Sequence, residues 1–136
     1  MNLQSLQKIV QKEIVPFEDD LVDLKEAEFK RGDRPDGSPI GRYRSPAYSL
    51  FKQRQNPLAG GDVDLILTGA FINSAFFKST EPGKYLFGFR DYKTPDLFAK
   101  YGSDIAGLNQ NTFNRFLLDK IKPKFILNIK QQLGQR

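Results

Sequence analysis

The sequence predicts an α+β fold: a long N-terminal helix and a C-terminal helix packed on a small, mainly antiparallel β-sheet. Three observations predict it. Leu3, Leu6, Val10, Ile14, Phe17, Leu21 and Leu24 recur every three or four residues, the spacing of one helix face. Phe113, Phe116, Leu117, Ile121, Phe125, Ile129 and Leu133 repeat that spacing near the other end. Between the two, residues 63–68 and 84–90 alternate with period 2, as strands do. A chain of 136 residues holds one core, so a single domain over 1–136 is expected. It divides into a helical arm over 1–30, a sheet with short helices over 40–108 and a final helix over 111–134.

The first apolar stripe runs unbroken across Pro16. Proline removes a backbone bond and clashes with the preceding turn, so a long helix kinked at Pro16 is expected. Glu18, Asp19 and Asp20 also suit a fresh helix start, where negative charge is favourable. Residues 31–39 are rich in Gly, Pro and Asp, and Pro35-Asp36-Gly37 fits a reverse turn with Gly left-handed. Residues 40–43 read as a short extended piece. Ser45-Pro46 opens a short helix over 47–53, with Ser45 as cap and Pro46 at its first position. Residues 56–61 read as a connector, since their glycines lack the spacing of a phosphate-binding loop.

The stretch from Asp64 to Phe77 carries the middle of the chain. Its first part reads as a buried strand. Its second part, with Phe71, Ala75, Phe76 and Phe77 near helical spacing, reads as a helix capped by Thr68. Gly69 sits at the switch, where a missing Cβ permits a tight turn. Residues 79–83 read as a turn. The following strand places Tyr85, Phe87 and Phe89 on one face, and Gly88 opposite leaves room for a neighbour or marks a bulge. Thr94-Pro95 starts a helical turn ended by Gly102, residues 105–108 form a short strand or loop, and Asn111 or Thr112 caps the last helix. Pro123 kinks or splits that helix. Twelve Phe point to a core of aromatic volume.

Composition excludes several chemistries. The chain has no Cys and no His, which removes disulfides, thiolate metal sites and every Ser-His or Cys-His arrangement. No apolar run reaches the roughly 18 residues of a membrane helix, and residues 1–7 lack the pattern of a secretion signal. A soluble intracellular product is expected, with no cofactor, no metal, no small-molecule substrate and no enzymatic activity.

The net charge of +5 is unevenly spread. Residues 13–28 are acidic, while residues 30–54 and the end of the chain are basic. Such blocks are either solvated faces or the means of contact with another copy or a charged partner. Asp19 and Asp23 share a helix face, but no second carboxylate motif accompanies them, so a solvated face outweighs a magnesium site. Leu3, Leu6, Val10, Asp19, Asp20 and Asp23 are the candidate subunit interface. Arg42, Arg44, Lys52 and Arg54, interleaved with Tyr43 and Tyr48, are candidates for contact with nucleic acid or a partner.

The run Asp64-Leu65-Ile66-Leu67-Thr68-Gly69-Ala70-Phe71, the aromatic strand after it, Leu97-Phe98-Ala99-Lys100-Tyr101-Gly102 and Ile105-Ala106-Gly107-Leu108 resemble a family of small tailed-bacteriophage proteins. These are the virion-morphogenesis, tail-completion and head–tail joining proteins. Gly37-Ser38-Pro39-Ile40, Tyr43, Tyr48 and Lys52 are similar in order and spacing. Where members often carry a Gly-Arg-Pro-Phe-like segment, this chain has Asn111-Thr112-Phe113-Asn114-Arg115-Phe116. The resemblance implies a structural motif at Asp64, Leu65, Thr68 and Gly69, and a virion subunit assembled in the host cytoplasm. It implies homo-oligomeric rings between capsid and tail, with other neck and tail proteins as partners and non-specific DNA contact. A basic, non-catalytic nucleic-acid-binding domain is the alternative.

Overall fold

The computed structural model describes residues 3–66, 69–81 and 84–134. Two long helical runs enclose a small antiparallel sheet, as the α+β pattern predicts. The first run is α1 (Leu3–Ile14) and α2 (Glu18–Lys30), joined by a tight 3₁₀ turn over Val15–Phe17 that holds Pro16. The kink therefore falls where the missing proline N–H removes a helical bond. The last run is α6 (Gln110–Phe116) and α7 (Lys122–Gly134), joined by a wider π turn over Leu117–Ile121. That turn directly precedes Pro123, whose ring would otherwise press on the carbonyl one turn back. The cap of α6 is Asn109, whose side chain accepts the Thr112 N–H at 3.1 Å, rather than Asn111 or Thr112.

Between these runs lie α3 (Pro46–Gln55), α4 (Ala70–Asn73), β1 (Ala75–Glu81), β2 (Lys84–Phe89) and α5 (Thr94–Tyr101). Ser45 caps α3 and Pro46 takes its first position. In the preceding loop the Gly37 N–H donates to the Arg34 carbonyl, closing the turn, with Gly37 left-handed at φ 87°.

Three expectations are corrected. Residues 63–66 are not a strand. Val63, Asp64 and Leu65 are all buried, yet they form no ladder with a neighbouring strand. Instead Asp64 accepts the Ile66 N–H at 3.0 Å and Leu65 adopts φ 55°, a side-chain turn that competes with strand pairing. Just before it, Asp62 forms an isolated bridge with Arg42. Next, the helix after Gly69 is a single turn, and residues 75–77 belong to β1. Ser79–Glu81, expected in a turn, continue β1. Residues 105 and 106, expected in a short strand or loop, lie in a 3₁₀ turn. Among the described residues the sheet has two strands. Leu67 and Thr68 lie outside the described residues, so the expected Thr68 cap does too. Gly69, at φ 78°, stands at the helix start.

The core has two halves that meet at the sheet. Phe29, Ile40, Val63, Leu65, Phe71, Ile72 and Ile105 form one. Ile14, Leu21, Phe87, Phe116 and Ile121 form the other. Phe89 and Ala75 pack against both. The aromatic volume is stacked, with Phe71 and Phe89 rings at 4.1 Å and 16°. The N-terminal stripe is thus mostly covered by the chain's own sheet and last helix. Asn128 of α7 donates to Glu13 of α1, and Glu18 accepts the Phe77 N–H of β1 at 3.1 Å.

Phe76 pairs across the sheet with Gly88, and its ring occupies the space a Cβ at Gly88 would need. The Arg90 guanidinium lies over that ring, 4.1 Å from its centre. The expectation that Gly88 makes room for a neighbour is met by this ring. Gly88→Ala should lower stability by about 1–3 kcal/mol through overpacking. In thermal unfolding, adding Phe76→Ala should recover part of that loss, and equal melting of Gly88→Ala and wild type would refute the account. Gly69→Val should cost about 1–2 kcal/mol, because a β-branched residue resists the left-handed conformation. Urea denaturation within error of wild type would remove any special backbone role for Gly69.

Candidate functional site

Two surfaces gather the residues that the sequence singles out. The first surrounds α3, whose orientation is inverted relative to an ordinary surface helix. Ser49, Lys52 and Asn56 share one face by helical spacing, and that polar face turns inward. Ser49 Oγ donates to the Gly61 carbonyl at 2.7 Å. Lys52 Nζ lies 3.1 Å from Asp64 Oδ1, with both side chains almost fully enclosed at 4% and 1% exposure. Asn56 Nδ2 donates to Asp64 Oδ2 at 3.0 Å and to the Lys30 carbonyl at 2.7 Å. The Asp64 carboxylate thereby ties α3 to residues 64–66, and the Asn56 amide carries the connection on to the end of α2. Burial alone would raise the Asp64 carboxyl. The bonds from Asn56, the Ile66 N–H and Lys52 outweigh it and hold the group below its ordinary value. Burial, then the Asp64 charge, pushes the nearby Tyr43 phenol upward.

The opposite face of α3 is open. Leu50 is 57% exposed and Phe51 53%, and Leu58 in the next turn is 70% exposed. Arg54 shares that side by helical spacing. Arg44 is exposed, and the Arg42 side chain is 92% exposed, 3.8 Å from Asp62. The rings of Tyr43, Tyr48 and Phe51 follow one another with centres 4.9 and 6.1 Å apart. Three of the four basic candidates therefore sit in solvent. Lys52 does not, and the expectation that it contacts nucleic acid or a partner is corrected. Its ammonium is held by Asp64 in the interior.

The second surface is a groove of about 590 Å³ between α2 and α6. Leu24 and Phe116 lie at its base, Asp20 and Asp23 on one side, Arg115 and Lys120 on the other. Asp19 is exposed on α2 nearby. Among the described residues, Asp19, Asp20 and Asp23 form no ion pair, and no three carboxylates converge to hold a metal. The apolar interface candidates differ from expectation. Val10 is half-buried and packs on the core half built around Ile14, and Leu6 is half-buried. The Leu3 side chain lies outside the described residues.

A second buried pair escaped sequence reading. Lys25 Nζ lies 2.8 Å from Glu28 Oε1, and both are enclosed. Glu28 Oε2 also accepts the Asn109 N–H at 3.0 Å, which fixes the start of α6 against α2. Lys25 sits 4.5 Å from the centre of the Phe29 ring. Burial depresses its pKa, against the pull of Glu28. Both residues lie in an acidic helix that otherwise reads as solvated, so no local signal marks them.

No family model, curated protein or solved structure matches this chain. No helix of the described residues is long and apolar enough to cross a membrane.

Asp64→Ala should cost about 3–5 kcal/mol, because it strands a buried ammonium. Replacing the pair together, Lys52→Met with Asp64→Leu, should cost much less. The depressed carboxyl also sets a sign. Its contribution is complete above the ordinary carboxyl value of 3.8 and fades as pH falls below it through the folded value. Urea denaturation between pH 7 and pH 3 should show a shallower acid loss for the double variant than for wild type.

Proposed function

We propose that this chain is a structural subunit of a tailed-phage or prophage virion, a member of a ring at the junction of capsid and tail, and that it catalyses no reaction. The observation that carries this reading is large apolar side chain turned to solvent on two separate elements. Leu50 and Phe51 face out from α3, and Ile126, Leu127 and Leu133 from α7. Exposed apolar faces of this kind mark surfaces that another protein covers. A subunit with two such faces suits an assembly in which each copy touches more than one neighbour. The resemblance in motif order to head–tail joining proteins supplies the kind of assembly. The Asp64 box fits a scaffolding role, since its carboxylate is enclosed among architectural partners.

A second reading, a basic non-catalytic nucleic-acid-binding domain, draws on one observation. Arg42, Arg44 and Arg54 lie in solvent around the Tyr48 and Phe51 rings, the ingredients of phosphate contact and base stacking. The withdrawal of Lys52 to the interior reduces that surface.

The test is made on particles. Mass spectrometry of purified virions should find the chain, and reversing Asp19, Asp20 and Asp23 together to Lys should block incorporation while leaving the melting curve of the free protein cooperative. Absence of the chain from virions would overturn the assembly reading. Tight, salt-dependent DNA binding by a chain absent from virions would establish the second reading in its place.

A further inference from the structure

We propose that the outer edge of β2 docks an extended segment of a partner polypeptide, which adds to the sheet as a third strand and seats an apolar side chain among Phe77, Tyr85 and Phe113. A ring subunit and a protein outside any ring can both carry such an edge, so it stands independently of the assembly reading.

The register of the sheet fixes where the backbone groups point. In an antiparallel pair, opposed residues alternate between those that exchange both backbone bonds and those that direct them outward. The Arg90 N–H donates to the Ser74 carbonyl at 3.2 Å, so Ser74 and Arg90 are an exchanging pair. Two steps along the register, Phe76 with Gly88 is the next, and Phe77 with Phe87 belongs to the outward class. Phe77 agrees, since its N–H reaches Glu18 and not β2. The N–H and C=O of Phe87 therefore point away from β1. Among the described residues neither has a hydrogen-bond partner. Phe87 is also 1% exposed. Buried backbone donors and acceptors are ordinarily paired, and leaving them without partners costs free energy. The two edges of the sheet thus differ. A carboxylate meets that of β1, while that of β2 keeps a donor and an acceptor on one residue, the pattern another strand satisfies.

A cavity of about 330 Å³ lies along that edge. Tyr85, Leu86 and Phe87 all border it. Successive side chains of a strand point to opposite faces, so three residues in a row border one space along the strand's edge. Leu108, Gln110 and Leu117 stand across from them. The rings of Phe77, Tyr85 and Phe113 form an aromatic wall, with the Tyr85 centre 5.5 Å from Phe77 and 5.6 Å from Phe113. All three are half-buried, so part of that wall faces solvent.

The chemistry of the cavity selects its occupant. No residue that borders it is charged. Phosphate finds no cation there, which sets nucleic acid aside. A purely apolar molecule would cover the rings and leave the Phe87 groups without bonds. An extended peptide answers both needs. Its backbone pairs with the Phe87 N–H and C=O, and its alternate side chains fall on the rings.

The test selects a displayed library of short random segments on the full-length protein, then uses synthetic peptides of the enriched sequences. Segments with apolar residues at alternate positions should be enriched. In nitrogen-15-labelled protein the bound peptide should slow hydrogen exchange of the Phe87 amide roughly tenfold or more, while the Phe77 amide, already bonded to Glu18, changes little. N-methylation of the peptide residue that pairs with the Phe87 carbonyl should weaken binding roughly tenfold, because it removes one donor and keeps the apolar contact. A selection that enriches nothing would overturn the proposal. So would peptides that bind equally well when N-methylated, or that leave the Phe87 amide unprotected. Protection that rises with protein concentration in the absence of peptide would make a second copy the occupant and overturn the partner assignment. None of these results depends on whether virions contain the chain.

Discussion

The Asp64 carboxylate is the constraint on which the middle of this molecule depends. It is buried and charged, so it must be surrounded by donors. The Ile66 N–H supplies one, and taking it bends the chain out of the extended path. Lys52 and Asn56 supply the others, and providing them turns the polar face of α3 inward. Asn56 passes the connection on to the carbonyl of Lys30 at the end of the first helical run. A loop and a helix thus share one anion, and Asn56 links both to a helix terminus. The outward Leu50 and Phe51 are a consequence of the same arrangement, since a helix has only one face to give.

Much of the secondary structure was legible because its signals are local. Ser45-Pro46 carries its own cap and first-turn proline, and Gly102 its own stop. The stripe from Leu6 to Leu24 and the one from Phe113 to Ile129 need only helical spacing. The failures have a common cause. Residues 63–66 alternate like a strand, but their path is decided by the burial of the Asp64 charge among Lys52, Asn56 and the Ile66 N–H, which alternation does not reveal. The run from Phe71 to Phe77 has helical spacing by coincidence of its aromatic residues. Its first residues do form the helical turn α4, but from Ala75 on it is strand, where Phe76 lies on Gly88 of the neighbouring strand.

The candidate site was legible in part. The exposed arginines and the exposed aspartates were found from charge alone, because isolated charges stay in water unless something holds them. Lys25, Glu28 and Lys52 were not, since each is inside only by virtue of a partner that closes over it. The two buried pairs sit at different joints. Lys25 and Glu28 hold the first helical run against the start of the last one, through the Asn109 N–H. Lys52 and Asp64 join α3 to residues 64–66, and Asn56 links them to the end of that same first run. In each, desolvation offsets much of the attraction between the charges.

Glu18 introduces a further consequence. A two-stranded sheet has open rims, and an open rim is a template on which another chain can grow sheet. By accepting the Phe77 N–H, the Glu18 side chain occupies one position on that rim with a group that cannot propagate a ladder. An acidic side chain on that rim therefore discourages the growth of further sheet on it from another strand.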